Sequence, residues 1–113
     1  MFTLPSSVSV YVYRDPTDMR KSFDSLAALT TQILSQNPLS GHLFVFFNRP
    51  RDRTKILFWD RTGYCLYYKR LEEGTFSVPD GPTSISVPEL MLILEGIELA
   101  GARRKKRFSL SAA

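Results

Sequence analysis

The sequence predicts an α+β domain: an antiparallel five- to six-stranded meander sheet, one long helix after strand 1, and a second helix near the C-terminus. Three observations carry that expectation. Gly41–Pro79 contains three short apolar runs, Leu43–Phe47, Ile56–Trp59 and Tyr64–Leu71. Each ends in turn chemistry: Asn48–Arg53 with Pro50, Asp60–Gly63, and Glu72–Gly74. Short apolar runs split by Gly, Pro, Asn and Asp read as strands joined by tight turns. On either side of this stretch, apolar residues recur at helical spacing.

The first strand is Val8, Val10 and Val12 alternating with Ser7, Ser9, Tyr11 and Tyr13, a period of two with β-branched residues. Arg14-Asp15-Pro16-Thr17 breaks it. Met19, Phe23, Leu26, Thr30 and Ile33 then fall at spacings of 4, 3, 4 and 3, one face of a helix of about four turns. Asp18 is placed to cap it, and Asn37-Pro38 to end it. In the meander, Leu43, Val45 and Phe47 share one face and Phe44 and Phe46 the other. The first helix can cover one face. The other calls for a second cover, either the terminal segments or another chain in a dimer or hetero-complex. Asp60-Arg61-Thr62-Gly63 suits a type I turn, and Thr75–Val78 extends the meander. Ser84–Val87 reads as one more short strand. Leu90, Met91, Ile93, Leu94 and Ile97 make Glu89–Leu99 a second helix, with Pro88 at its first position, Val87 a poor cap, Gly96 a weak point and Gly101 the stop.

The chain has 113 residues, 43% apolar and 23% charged, in the range of one globular domain. Residues 1–101 are expected to form it and 102–113 a basic, disordered tail. No apolar run approaches the roughly 18–20 residues of a membrane span. The N-terminus lacks the features of a signal peptide, and a single cysteine excludes an internal disulfide and a Cys-based zinc site. A reducing cytoplasm is the expected compartment, and no cofactor is expected. Net charge is +4, but Arg103, Arg104, Lys105, Lys106 and Arg107 account for it. Without them ten basic residues face eleven acidic ones. Within this near-neutral body, Arg49, Arg51, Arg53, Lys55 and Arg61 make one locally basic hairpin.

These ten cations are the candidate DNA contacts. Arginine meets phosphate through a planar fork, and a run of cations attracts nucleic acid without reading sequence. Trp59, Tyr64, Tyr67 and Tyr68 could stack on bases or fill the core. The bland alternatives are a protein-binding or merely solvated hairpin and a tolerated charged terminus. Arg20 and Lys21, at the unfavourable end of the first helix's dipole, suggest either an external anion or a pairing of Arg20 with Asp24. For catalysis the carboxylates to consider are Asp15, Asp18, Asp24, Asp52 and Asp60, since a nuclease needs two or three converging on metal. Asp18 has a capping job, Asp60 a turn job and Asp52 an arginine setting. Pro79-Asp80 lacks the Glu-x-Lys that a restriction-type nuclease places after it. His42 and Cys65 as a nucleophile pair lack an orienting partner. No catalytic residue and no metal ligand are assigned.

Asp18-Met19-Arg20-Lys21-Ser22-Phe23-Asp24-Ser25-Leu26 resembles the Asp-Met-Arg-Lys-x-Phe-Asp-x-Leu signature of the TnpB-type accessory proteins, the small second-reading-frame products of the bacterial insertion-sequence family numbered sixty-six. Ser40–Phe46, Lys55–Asp60 with Trp59, Gly63–Glu72 with Lys69 and Arg70, and Leu94–Ile97 are similar to it in the same order. Val87 departs from the Thr that usually precedes Pro in the last helix. The resemblance implies a non-enzymatic bacterial protein, encoded beside a separate transposase, that assists transposition by contacting DNA, the transposase, or both. The alternatives are a purely protein-binding subunit without DNA affinity and a metal-dependent nuclease.

Overall fold

A computed structural model describes residues 7–98 and 103–104 of the chain. Its main sheet has five strands: β1 Val10–Tyr13, β2 Leu43–Phe47, β3 Arg53–Asp60, β4 Gly63–Arg70 and β5 Ser84–Ile85. Their spatial order is β4-β3-β2-β1-β5. The β2-β3-β4 meander is antiparallel, as the turn chemistry predicts, with Val45 opposite Ile56 and Phe58 opposite Cys65. The sheet as a whole is mixed, which corrects the purely antiparallel expectation. β1 runs parallel to β2, in the register Val10↔Leu43 to Tyr13↔Phe46, and β5 adds antiparallel to the outer edge of β1. The physical reason is the crossover. Residues 14–42 carry a helix from one strand to the next, and a connection of that length lets the chain return in the same direction.

The first helix is shorter than its apolar spacing suggests. α1 covers Phe23–Gln32. Asp18 does not cap it, because its carboxylate accepts from the Arg20 backbone N–H and guanidinium. The cap is Ser22, whose backbone N–H donates to Ser25 Oγ at 2.9 Å. At the far end Ser35 takes φ +55°, so the chain leaves the helix before Asn37-Pro38 is reached. α2 covers Val87–Leu94. Its cap lies one residue before the position judged poor: Ser86 Oγ accepts from Glu89 N at 3.2 Å, and Glu89 Oε1 accepts from Ser86 N at 3.3 Å. Pro88 is the second helical residue rather than the first. Gly96, at φ +77°, supplies the left-handed residue that ends α2, well before Gly101. A two-residue ladder pairs Ile97–Glu98 with Arg103–Arg104.

Both sheet faces are apolar, and the chain covers both itself. On one side Leu26 of α1 packs on Phe44, Phe46 and Leu57. On the other, Leu90, Ile93 and Leu94 of α2 pack with Phe76 on Val10, Val12, Leu43, Val45, Phe47, Ile56 and Phe58. Of the two covers expected for the second face, the chain's own C-terminal part supplies it: a helix of eight residues and the segment before it are enough. Thr75–Val78 is not a strand. It serves instead as cover, with Phe76 buried and its N–H donating to Arg51 O at 2.7 Å. The Asp60–Gly63 link is a two-residue hairpin in which Arg61 takes φ +47°. This is not the type I geometry expected, because a left-handed first position matches the twist of the paired strands better.

Candidate nucleic-acid interface

The five residues between β2 and β3 are held together by one side chain. Asn48 Oδ1 accepts from the N–H of Asp52 at 3.1 Å and of Arg53 at 3.0 Å, and its Nδ2 donates to Asp52 Oδ1 at 2.6 Å. The loop is not a two-stranded ribbon at this point, so the alternation of Arg49, Arg51 and Arg53 does not put them along one edge. Arg49 is exposed and makes no hydrogen bond or ion pair among the described residues. Arg51, at φ +61°, turns inward. Its Nη2 donates to Arg14 O at 2.8 Å, and its guanidinium lies 5.5 Å from the centre of the Phe47 ring. Arg53 is half-buried, with Nη1 donating to the Tyr68 hydroxyl at 3.2 Å.

Lys55 lies in the interior, 7% exposed. Its Nζ donates to Met19 O and Lys21 O, each at 2.7 Å, and stands 4.7 Å over the Tyr68 ring. An ammonium is buried only where its donors are met, and here the met acceptors belong to the loop that leads into α1. Lys69, on the opposite face of the sheet, does the same for α2. Its Nζ donates to Leu94 O at 2.8 Å, a cation at the negative end of the helix dipole. The two lysines, one from each of two neighbouring strands, tie one helix entrance and one helix exit to the sheet. The sequence shows the cations but not that they spend their charge internally.

The tie brings together two stretches far apart in sequence. The loop before α1 and the β2–β3 loop face each other across an open cleft of about 880 Å³, whose walls include Asp18, Arg20, Arg49, Asp52, Arg53 and Tyr68. Arg20 pairs with Asp18, Nη2 to Oδ2 at 2.7 Å, rather than with Asp24. The hydrogen bond from the Arg20 side chain holds the Asp18 carboxyl down at about 2, with the Arg20 backbone N–H contributing next. Tyr68 is 47% exposed. The other aromatics named with it are occupied: Trp59 and Tyr64 meet edge to face at 5.2 Å, and Tyr67 packs on the α2 side, where burial pushes its phenol up and Glu95 adds to the shift. Thr17, 5% exposed in the cleft wall, has the buried side-chain oxygen without a partner among the described residues.

The remaining sequence candidates lie elsewhere. Lys21 gives its carbonyl to Lys55. Phe23 opens α1 half-exposed, and Asp60 and Arg61 sit at the β3–β4 hairpin. Arg70 pairs with Glu72, Nη2 to Oε1 at 2.7 Å. Arg103 and Arg104 are placed only as backbone in their ladder, and Lys105, Lys106, Arg107 and the rest of the tail lie outside the described residues. Among the described residues no three His, Cys, Asp or Glu side chains stand together to hold a metal ion. His42 Nδ1 accepts from Ser9 N at 3.0 Å and its ring meets Tyr11 on the α1 side, whereas Cys65 packs on the α2 side. The sheet separates the two. No helix of the described residues is long and apolar enough to cross a membrane.

Fold and site define a small mixed-sheet α+β domain with an arginine-rimmed cleft where the α1 entrance meets the β2–β3 loop. The chain belongs to the IS66 Orf2 like protein family, which matches residues 8–104. It is similar to two Sinorhizobium fredii proteins titled as uncharacterized. One, y4hO, is 41% identical over 100 residues, covering 84% of this chain and 87% of that protein. The other, y4jC, is 33% identical over 99 residues and covers 85% of each. No solved structure matches the chain. The family carries an association with transposition of an insertion sequence.

Proposed function

We propose that this protein is a non-catalytic accessory factor in transposition, acting by contacting DNA through the arginine-rimmed cleft and, as a second arm, through the basic run Arg103–Arg107. One observation carries the reading: the Asp18–Lys21 loop and the β2–β3 loop, the two cation-bearing stretches singled out in the body, converge on one open cleft and leave Arg49 and Arg53 on its rim. Arg51 and Lys55 act as supports of that surface, since their cationic groups are spent on backbone carbonyls. The transposase is the second partner in this reading, and the bacterial cytoplasm its setting.

The test is fluorescence anisotropy of the full chain on an element-end duplex and a scrambled duplex across a salt series. Neutralising five to seven phosphates gives a log–log salt slope of about −4.5 to −6. Removing residues 102–113 is expected to flatten the slope and weaken both duplexes alike, because a tail of this kind meets phosphates only. Replacing Arg49 and Arg53 together by Ala is expected to remove any preference for element ends. Absence of binding to duplex and to single strand alike, even at low salt, refutes the DNA reading. It leaves a protein-binding subunit, which co-purification with the transposase detects.

A further inference from the structure

The cleft continues past Tyr68. A second hollow of about 260 Å³, lined by Arg53, Tyr68, Arg70 and Glu72, adjoins it, and Arg53 and Tyr68 line both. The tyrosine ring thus stands in the middle of one groove. Arg20, Arg53 and Arg70 line the two hollows, and each guanidinium is hydrogen-bonded to a neighbouring side chain. Arg20 places Nε at 3.1 and 3.0 Å from the two Asp18 carboxylate oxygens and Nη2 at 2.7 Å from one of them. Arg70 places Nε at 3.0 Å and Nη2 at 2.7 Å from Glu72 Oε1. Arg53 is held by the Tyr68 hydroxyl.

Ion pairs this exposed do little for stability, because water screens them. The Arg20 side chain is 91% exposed and that of Arg70 58%. What such a pair does accomplish is to favour one geometry of a long side chain. It uses the Nε and Nη2 edge of the guanidinium and leaves Nη1 to donate to an incoming oxyanion. The carboxylates of the groove are themselves spent, Asp18 on Arg20, Glu72 on Arg70 and Asp52 on Asn48, so they oppose a phosphate less than free carboxylates do.

We infer that this groove binds a single-stranded DNA segment, one base stacked on Tyr68 and the flanking phosphates on Arg20, Arg53 and Arg70. The inference rests on the DNA-binding reading and specifies the form of DNA that enters. An exposed aromatic among groove-lining cations is the pattern by which single strands are held. A duplex keeps its bases stacked on one another and offers none to a ring inside a groove. Lys55 backs Tyr68 from within the sheet, so the ring is set before the strand arrives.

The experiment measures anisotropy of a labelled oligothymidylate and of a duplex with the full chain. Tyr68→Leu is expected to weaken single-strand binding about tenfold or more and duplex binding, which uses phosphate contacts and not the ring face, by much less. Tyr68→Phe keeps the stacking surface but frees Arg53 from the hydroxyl, and is expected to weaken binding far less than Tyr68→Leu. The three groove phosphates contribute about −2 to the single-strand salt slope, and Arg20→Gln, Arg53→Gln and Arg70→Gln each flatten it. A second measurement does not depend on how the variants fold: a bromodeoxyuridine-substituted strand is cross-linked to the parent protein and the attachment mapped by mass spectrometry. Attachment on the peptide holding Tyr68 is expected, and attachment confined to other segments overturns the proposal. Duplex binding without single-strand binding, or single-strand binding indifferent to Tyr68→Leu in a folded variant, overturns the groove alone. Failure of both DNA forms to bind overturns the groove and the DNA reading together.

Discussion

Replacing Lys55 by Met keeps the length and apolar stem of the side chain and removes only its ammonium. Two backbone carbonyls, Met19 O and Lys21 O, then lose a charged donor at 2.7 Å, and the Tyr68 ring loses the cation over its face. A carbonyl left without its partner costs about 1–3 kcal/mol. The two here lie in a loop that water can partly reach, so the lower end applies to each, giving about 2 kcal/mol. The ammonium's own desolvation, no longer required, opposes this, and the lost cation–π contact, about 0.5–2 kcal/mol, adds to it. Lys55→Met is thus expected to destabilise by about 2 kcal/mol, a drop in Tm of about 8 °C at roughly 4 °C per kcal/mol for a domain near this size. Lys55→Ala also empties the space of a buried stem and is expected to cost roughly 2 kcal/mol more. Urea unfolding gives the two free energies. Amide hydrogen exchange gives the location: the Arg20 and Lys21 amides, which donate to Asp18, lose protection in Lys55→Met while those of β2 keep theirs relative to global stability. A Lys55→Met protein as stable as the parent, with the 18–21 loop equally protected, refutes the reasoning. It would mean that burying the ammonium costs as much as its bonds return.

Three further outcomes follow from local geometry. Asp18 titrates at about 2 rather than at its ordinary 3.8. A lowered carboxylate pKa stabilises fully above the ordinary value, so the Asp18–Arg20 pair is lost as the pH falls from 3.8 toward 2; Arg20→Ala is expected to move the Asp18 carboxyl titration up toward the ordinary value by NMR, short of it because the residue-20 backbone N–H still donates. Ser86→Ala removes the acceptor of the Glu89 N–H and half of the capping box, and is expected to cost about 1 kcal/mol in urea unfolding. Gly96→Ala forces a Cβ into φ +77° and is expected to cost about 1 kcal/mol by the same measurement; no loss in either variant would mean that the two ends of α2 do not limit stability.

The groove was only half legible in the sequence. Arg49, Arg53 and Tyr68 were identified, as were Asp18 and Arg20 through the Asp-Met-Arg-Lys signature, but as separate features. Nothing in local spacing says that residue 20 and residue 53 face one cleft, because the contact is made by a helix crossover. Period-two alternation does assign Arg53 and Lys55 to one face of β3, yet alternation cannot say what packs on that face. Lys55 is buried because the α1 entrance happens to descend over it, whereas Arg53, two residues earlier, lies beyond that cover. Arg51 escaped the reading for a different reason: a residue at positive φ inside a turn no longer obeys the alternation of the strands around it. A signal for the role of Lys55 was present, a lone lysine at the start of the run Ile56–Trp59, where an exposed hairpin end needs no long stem.

By itself, the sequence determined the β2–β3–β4 meander, the existence and order of the two helices, the two-sided apolar sheet and, through the similar segments, the family. All of these rest on residues close together in the chain, where turn chemistry and periodicity act directly. Only the tertiary structure decided that β1 pairs parallel with β2, that α2 rather than a second chain covers the far face, that α1 begins at Ser22 rather than Asp18, and which cations turn inward. Each of these is a competition between alternatives of similar local preference. Asp18 can cap a helix or hold Arg20, and a lysine can meet water or two carbonyls. For Lys55 the tie is broken by carbonyls more than thirty positions away in the chain, because burial makes an unpaired ammonium costly, whereas Asp18 is settled by Arg20, two residues on.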